Sequence, residues 1–210
     1  MIRVVVIDDH AVIIQGIEWL LASEQDMEFV GGMSDSREGL RLIEQEKPDI
    51  AVMDITMPGL NGLDAARQIR TVAPKTKTIL LTMHNEKPYV VEALKVGVRG
   101  YVLKSQAGGD LLRAIRDVSQ DQVYLSPCIS RVVVEAYQSK HAPAECRLTS
   151  REREVLQLVA EGCKTKQAAA RLGISIKTAE SHRTRIMNKL DIHETAGLVR
   201  YAIRHGMISP

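Results

Sequence analysis

Apolar residues in the first 120 positions fall into short runs separated by amphipathic stretches. The runs Val4-Val5-Val6-Ile7, Ile50-Ala51-Val52-Met53 and Tyr101-Val102-Leu103 are each bounded by polar or turn residues. That pattern predicts strands buried on both faces of a parallel sheet. Strands are expected at Arg3–Ile7, Glu28–Gly32, Ile50–Met53, Thr78–Leu81 and Gly100–Val102. Helical spacing fills the gaps. Ile13, Ile17, Leu20 and Leu21 recur at i, i+4, i+7 and i+8, which makes one buried stripe. Asp35 and Glu38 have capping-box spacing. A third helix follows Asn61-Gly62, and a fourth spans Lys87 to Val96 and stops at Gly97. A fifth carries Leu111, Ala114, Ile115 and Val118. The alternation predicts an α/β fold, a (βα)5 doubly wound parallel sheet with helices on both faces.

The pattern changes after residue 120. Ser126-Pro127 puts an N-cap before a proline at the first helical position, opening a short helix through Val132, Val133 and Tyr137. Gln138 to Arg147 has no periodicity and is expected to be the flexible part of a linker covering 121–146. From 147 to 210 the chain is expected to be a small all-α domain. Thr149 and Glu152 form a capping box ahead of Val155, Leu158 and Val159. Thr165 is expected to cap a helix over Lys166–Leu172, Gly173-Ile174 to turn the chain, and Ser175 to cap a longer helix to about Leu190. Those three elements have helix–turn–helix spacing. Glu194 to His205 supplies the last helix, with Leu198, Tyr201 and Ala202 on its apolar side.

Composition and charge sharpen this division. Hydrophobic residues make up 45% and aromatics 3%, so aliphatic side chains must build the cores. No apolar stretch reaches the ~18 residues of a membrane span, and the N-terminus lacks a signal-peptide pattern. Cys128, Cys146 and Cys163 are odd in number and lack Cys-x-x-Cys spacing, as expected of reduced thiols in a cytoplasmic protein. The net charge of +2 conceals an asymmetry. From Arg147 onward there are 12 Lys and Arg against 6 Asp and Glu, while the preceding part is net negative. A basic C-terminal third suggests a polyanionic partner.

The candidate chemistry lies just past the strands. Asp8 and Asp9 follow the first, Asp54 the third, Thr82 the fourth and Lys104 the fifth. Open α/β sheets bind ligands at the carboxyl ends of their strands, and in the order 2-1-3-4-5 the first and third are neighbours. Acids so close together need a cation. Mg²⁺ takes hard oxygen ligands and keeps several waters, so such a site suits it. An Asp carboxylate beside it can attack phosphorus to give an aspartyl phosphate, with Lys104 and Thr82 contacting the transferred group.

The stretches Val-Ile-Asp-Asp-His, Met-Asp-Ile-Thr-Met-Pro-Gly-Leu-Asn-Gly, Leu-Leu-Thr-Met and Gly-Tyr-Val-Leu-Lys closely resemble receiver domains of bacterial two-component response regulators. The resemblance covers 1–120 and implies a flavodoxin-like fold. It implies Asp54 as phospho-acceptor and a Mg²⁺ site of Asp8, Asp9, Asp54 and the Thr56 carbonyl. It also implies Thr82 and Tyr101 as a switch pair, Lys104 on the phosphoryl group, and a sensor histidine kinase as partner. Many receivers carry Pro after the lysine, where this chain has Ser105.

In the long C-terminal helix, Ala179, His182, Ile186 and Leu190 recur on one side and are expected to face the core, His182 as a packed, hydrogen-bonded residue. Lys177, Glu180, Ser181, Thr184 and Asn188 occupy the other, flanked by Arg183 and Arg185. An amphipathic helix with that polar side suits a major groove. The stretch from Leu148 to Gly206 resembles the LuxR/FixJ-type DNA-binding domain, with Thr165-Lys166-Gln167-Ala168-Ala169 where the family usually has Asn-Lys-Glu-Ile-Ala. The resemblance implies base contacts by Glu180, Ser181 and Thr184. It implies phosphate contacts by Lys166, Lys177, Arg183, Arg185 and Lys189, and a dimer contact in the last helix.

The leading expectation is a non-enzymatic transcriptional regulator controlled by phosphorylation, acting as a homodimer on double-stranded DNA at an inverted repeat. Leu198, Val199 and Tyr201, or Ile14 and Trp19 of the first helix, are candidate dimer surfaces. One alternative is a DNA-binding regulator whose receiver needs no phosphate. Another is a phosphohydrolase of the haloacid-dehalogenase type. Those carry a second acid two residues after the nucleophile, where this chain has Thr56.

Overall fold

The computed structural model describes residues 1–138, 148–205 and 207–208. The chain divides into two compact units, 1–139 and 140–210. In the first, strands β1 (Ile2–Ile7), β2 (Met27–Met33), β3 (Ile50–Met53), β4 (Lys77–Thr82), β5 (Gly100–Leu103) and β6 (Tyr124–Leu125) form one sheet of order β2-β1-β3-β4-β5-β6. Every neighbouring pair is parallel. Helices α1 (Ala11–Ala22), α2 (Ser36–Glu46), α3 (Gly62–Val72), α4 (Lys87–Val96) and α5 (Ala107–Ser119) connect the first five strands and run on to β6.

Side chains that alternate along the strands sort into two cores. Val5, Ile7, Ala51, Met53, Leu80 and Tyr101 join residues of α2, α3 and α4 on one face. Val4, Val6, Val52, Ile79, Leu81 and Val102 join α1 and α5 on the other. This double coverage is why the strands read as unbroken apolar runs. The caps follow local chemistry. Asp35 accepts the Arg37 and Glu38 N–H groups, Asn61 accepts that of Asp64, and Gly97 closes α4 at φ +88°.

The sixth strand departs from the five-strand expectation. β6 pairs with β5, and α6 (Pro127–Gln138) packs against α4. Ser126 caps α6 through its carbonyl, which accepts the Ile129 N–H at 2.9 Å. Ile129 is fully buried in the core that contains Tyr101, a burial that contributes about 2 kcal/mol. The first half of the expected linker is thus built into this unit. The flexible part expected over 138–147 lies outside the described residues, apart from Gln138.

The second unit contains α7 (Ser150–Ala160), α8 (Thr165–Leu172), α9 (Ile176–Leu190) and α10 (Thr195–Arg204). Leu148, Val155, Leu158, Leu172, Ile186 and Leu198 form its core. The capping box of Thr149 and Glu152 is present in both directions. α8 begins one residue earlier than expected. The N–H of its N-cap, Lys164, donates to Gln167 Oε1 at 2.8 Å, and the Thr165 hydroxyl accepts from Arg183. Two expectations about apolar surfaces are corrected. Leu198 is 1% exposed, a core residue rather than a dimer contact. Ile14 packs on the α1 side of the sheet, while Trp19 stands 82% exposed.

Candidate phospho-acceptor and nucleic-acid sites

Ile7 lies opposite Met53 in the β1–β3 ladder, so Asp8 and Asp54 leave the sheet side by side. Gly62 makes room behind Asp54. A Cβ there would lie 1.9 Å from the Asp54 carbonyl oxygen. Only glycine therefore allows the start of α3 to come so close, with its N–H on the Ile55 carbonyl at 2.8 Å.

Asp54 Oδ1 accepts the Ile55 N–H at 2.6 Å, and Oδ2 lies 2.7 Å from the Lys104 ammonium. The same ammonium is 2.7 Å from Asp8 Oδ2. Burial works against the charge on Lys104, but the carboxylates of Asp54 and Asp8 more than offset it and hold its pKa above the ordinary value. Asp9 is less engaged, with its side chain 28% exposed and Oδ1 2.8 Å from His10 Nδ1. Ligand atoms of Asp8, Asp9, His10 and Asp54 all lie within 4.8 Å of one another. Three carboxylates against one ammonium leave an uncompensated negative charge. This hard-oxygen donor set fits a divalent cation such as Mg²⁺.

The remaining expected residues surround this crevice. Thr82 is fully buried, and its hydroxyl accepts the His84 N–H at 3.3 Å. Thr56 pairs its hydroxyl with His84 Nε2 at 2.7 Å. The His84 ring stacks on Tyr89 with centroids 4.1 Å apart. Tyr101 is 1% exposed and donates its hydroxyl to the His84 carbonyl at 2.9 Å. Burial, with the Glu86, Tyr89 and Asp54 charges behind it, raises the phenol's pKa and keeps it a donor. Sequence reasoning missed His10 and His84. Each lies two residues past a recognised strand-end residue, a position where a polar ring can reach the crevice. Lys104–Gln106 forms a 3₁₀ turn, and the described peptide bonds are all trans.

In the second unit, Lys177, Ser181, Thr184 and Asn188 lie along one side of α9 at helical spacing and are exposed, as are Glu180 and Arg185 beside them. Lys166 is exposed on α8. Two residues expected on phosphates have partners within the unit. Lys189 Nζ lies 2.7 Å from the carboxylate of Glu152, which is 2% exposed. Arg183 donates to the Thr165 and Thr195 hydroxyls at 3.3 and 2.9 Å. Burial opposes the Glu152 charge, but Lys189 and the N–H and hydroxyl of Thr149 hold its carboxyl below the usual range. His182 is half-buried, and its Nδ1 has no hydrogen-bond partner among the described residues, contrary to expectation.

Comparison with known proteins identifies the families to which the two units are similar. Residues 4–116 match the family described as "Response regulator receiver domain", and residues 147–202 match "Bacterial regulatory proteins, luxR family". The oxygen regulatory protein NreC of Staphylococcus haemolyticus is 35% identical, over 98% of this chain and 99% of its own. The transcriptional regulatory protein MctR of Rhizobium johnstonii is 34% identical, over 99% and 96%. Among solved structures, RcsB of Salmonella enterica serovar Typhimurium, bound to promoter rprA in the presence of phosphomimetic BeF3−, superposes with a TM-score of 0.65. It is 28% identical, over 95% of this chain and 97% of that one. The crevice and the exposed α9 are therefore parts of a two-component transcription regulator rather than an enzyme, and the chain belongs to the response regulators that join a receiver domain to a LuxR-type DNA-binding domain.

Proposed function

We propose that Asp54 accepts a phosphoryl group from a sensor histidine kinase and that this controls how the second unit binds DNA. The observation that carries this reading is the Lys104 ammonium set between Asp54 and Asp8 with two acids nearby. An Asp54 carboxylate oxygen attacks phosphorus, the bond from phosphorus to the donor's imidazole nitrogen breaks, and the released nitrogen takes a proton from water. Lys104 neutralises the equatorial oxygens of the transferred group, and Thr82 donates its hydroxyl to them. Asp8, Asp9, Asp54 and the Thr56 carbonyl are the residues that would hold Mg²⁺, which supplies charge neutralisation on the phosphoryl oxygens. Asp9 is the principal ligand in this reading, since Asp8 is already committed to Lys104.

The functional division follows the sequence: receiver 1–120, linker 121–146, DNA-binding domain 147–210. Thr184, Ser181 and Glu180 read base edges, while Lys166, Lys177 and Arg185 contact phosphates; Arg183 and Lys189 act through the fold of the unit. One such helix reads too few base pairs for genomic specificity, so a two-fold dimer on an inverted repeat is the working form. The protein acts in the cytoplasm; among the described residues no helix is long and apolar enough to cross a membrane. Phosphate-affinity electrophoresis after acetyl phosphate treatment, with and without Mg²⁺, tests the reading. A shifted band that needs both Mg²⁺ and Asp54 is expected. Sequence-specific DNA binding with no such band would favour a receiver that works without phosphate.

A further inference from the structure

The end of the sheet opposite the carboxylate crevice carries a cleft of about 640 Å³. It lies where β4 and β5 begin, roughly 17 Å along β4 from Thr82. The end of α3, the turn into β4, the end of α4 and the turn between α5 and β6 line it. Four of the lining side chains are cations, Arg70, Lys75, Lys77 and Arg99, against one acid, Asp121. The surrounding unit is net negative, so the cleft is opposite in charge to the surface that contains it.

Only one of these cations is matched by the acid. Lys77 Nζ lies 2.8 Å from Asp121 Oδ1 and donates to the Ser119 carbonyl at 2.8 Å. Lys77, with a smaller contribution from Arg99, holds the Asp121 carboxyl below its ordinary pKa. Arg70 donates through Nη1 to the Val96 carbonyl at 2.6 Å. Gly97 leaves room for this, since a Cβ there would come 3.1 Å from that nitrogen. A guanidinium has five N–H donors, so one such bond fixes the group without exhausting it. Lys75 and Arg99 are exposed, and their side chains have no hydrogen-bond or ion-pair partner among the described residues. Beside the cations stands an apolar wall of Pro74, Val98, Leu94 and Val123, the last two 36% and 52% exposed.

We propose that this cleft binds a nucleoside polyphosphate, with the phosphates among Arg70, Lys75 and Arg99 and the base and sugar against the apolar wall. The volume falls within the range of about 300–1,000 Å³ typical of small-molecule sites, more than an inorganic phosphate fills. Three cations without a matching acid call for a ligand of several negative charges, and arginine and lysine are the usual phosphate donors. No aromatic ring lines the cleft among the described residues. Two guanidinium planes serve instead, because a base stacks on arginine as it does on an aromatic ring. Lying at the far end of the sheet, the site stands independently of the reading of Asp54.

The test is calorimetry on the full chain with ATP, pyrophosphate and adenosine, in EDTA so that the carboxylate crevice holds no metal. ATP is expected to bind, and pyrophosphate and adenosine to bind at least about tenfold more weakly, since each fills one half of the cleft. Amide chemical shifts in 75–78, 97–99 and 121–123 should move on adding ATP. The double variant Lys75→Gln, Arg99→Gln should lose ATP affinity by at least about tenfold. Should it not fold, Val123→Asp, which sets an acid on the exposed wall, carries the same measurement, and the wild-type shifts need no variant. Pyrophosphate or adenosine binding as tightly as ATP, ATP affinity unchanged in the variants, or shifts confined to α9 would overturn the proposal. So would the absence of ATP binding at millimolar concentration.

Discussion

The carboxylate crevice and the exposed side of α9 are charged sites built in opposite ways. In the crevice the charges are buried and held before any ligand arrives. Asp8 is 1% exposed and Asp54 6%, with Lys104 between them. On α9, Lys177, Thr184, Arg185 and Asn188 stand in solvent. On the reading proposed for Asp54, the first arrangement preorganises charge where a transferred group develops it. The second presents side chains from solvent, as the proposed contact with a polyanion requires. A residue's part in the crevice is consequently fixed by its place in the topology. A residue's part on α9 depends on whether something within the unit has already claimed it.

The largest effect expected from breaking this contrast is at Asp54. Asp54→Asn keeps size and polarity but removes the anionic nucleophile. Phosphorylation by acetyl phosphate should vanish while the thermal transition of the first unit remains. Labelling of the variant at wild-type stoichiometry would exclude Asp54 as the acceptor.

Next in size is the Glu152–Lys189 pair, a charged contact within the second unit although Lys189 lies on α9, the helix proposed to read DNA. Glu152→Ala removes half of a capping box and leaves Lys189 without its partner. A cap contributes about 1 kcal/mol, and breaking a buried pair costs about 3 kcal/mol or more. Because the Lys189 side chain is 36% exposed, a total loss of about 2–3 kcal/mol is expected, read as a lower urea midpoint for the second unit. The pair also sets a pH dependence. The Glu152 carboxyl is held below its usual 4.5 in the folded state. Its stabilisation is therefore complete above that value and is lost as pH falls through the folded pKa. Glu152→Gln should consequently lose less stability than the wild type as pH falls below 4.5. Parallel curves for the two proteins would remove Glu152 as the source.

These two regions were not equally legible in the sequence. Strand-end acids after apolar runs located Asp8, Asp9, Asp54 and Lys104 before any coordinates, because a parallel sheet fixes where a strand end goes. Glycine and cap positions, such as Gly97 and Thr149, were legible for the same local reason. The sequence pattern did not separate Lys189 and Arg183 from Lys177 and Arg185, since all four are cations on one helix. Their partners, Glu152, Thr165 and Thr195, come from other helices. β6 went unseen because two residues carry no periodicity, and Leu198 looked surplus because the depth of the helical core depends on packing rather than pattern.

A smaller effect divides the exposed face itself. Thr184→Ala is expected to cost about 1–3 kcal/mol on the specific site and little on random duplex. Lys177→Ala should weaken both alike and reduce the steepness of the log–log salt dependence by about 0.9. Fluorescence anisotropy against both duplexes at several salt concentrations distinguishes them. Equal losses for Thr184→Ala on the two duplexes would move it from base contact to backbone contact.

The smallest expected change in stability, and the sharpest test of which surface pairs two copies, is at Trp19. On α1, Val12 is 78% exposed and Trp19 82%, with Gly16 between them at i+4. The three lie on the outer stripe, opposite Ile17 and Leu21, which are buried in the core. Single exposed apolar residues are ordinary. A tryptophan and a valine flanking a glycine on one stripe allow close approach of a second helix. The α4 side of the sheet is already covered by α6, so a second copy has an apolar stripe open to it on α1. Trp19→Ala should change unfolding stability by no more than about 0.5 kcal/mol, as for other surface positions. In sedimentation of the BeF3−-loaded chain it should lower the dimer fraction several-fold. It should also reduce cooperative binding to a two-site duplex, leaving single-site affinity intact. An unchanged dimer fraction would remove α1 as the contact and direct attention to the remaining exposed residues of α10.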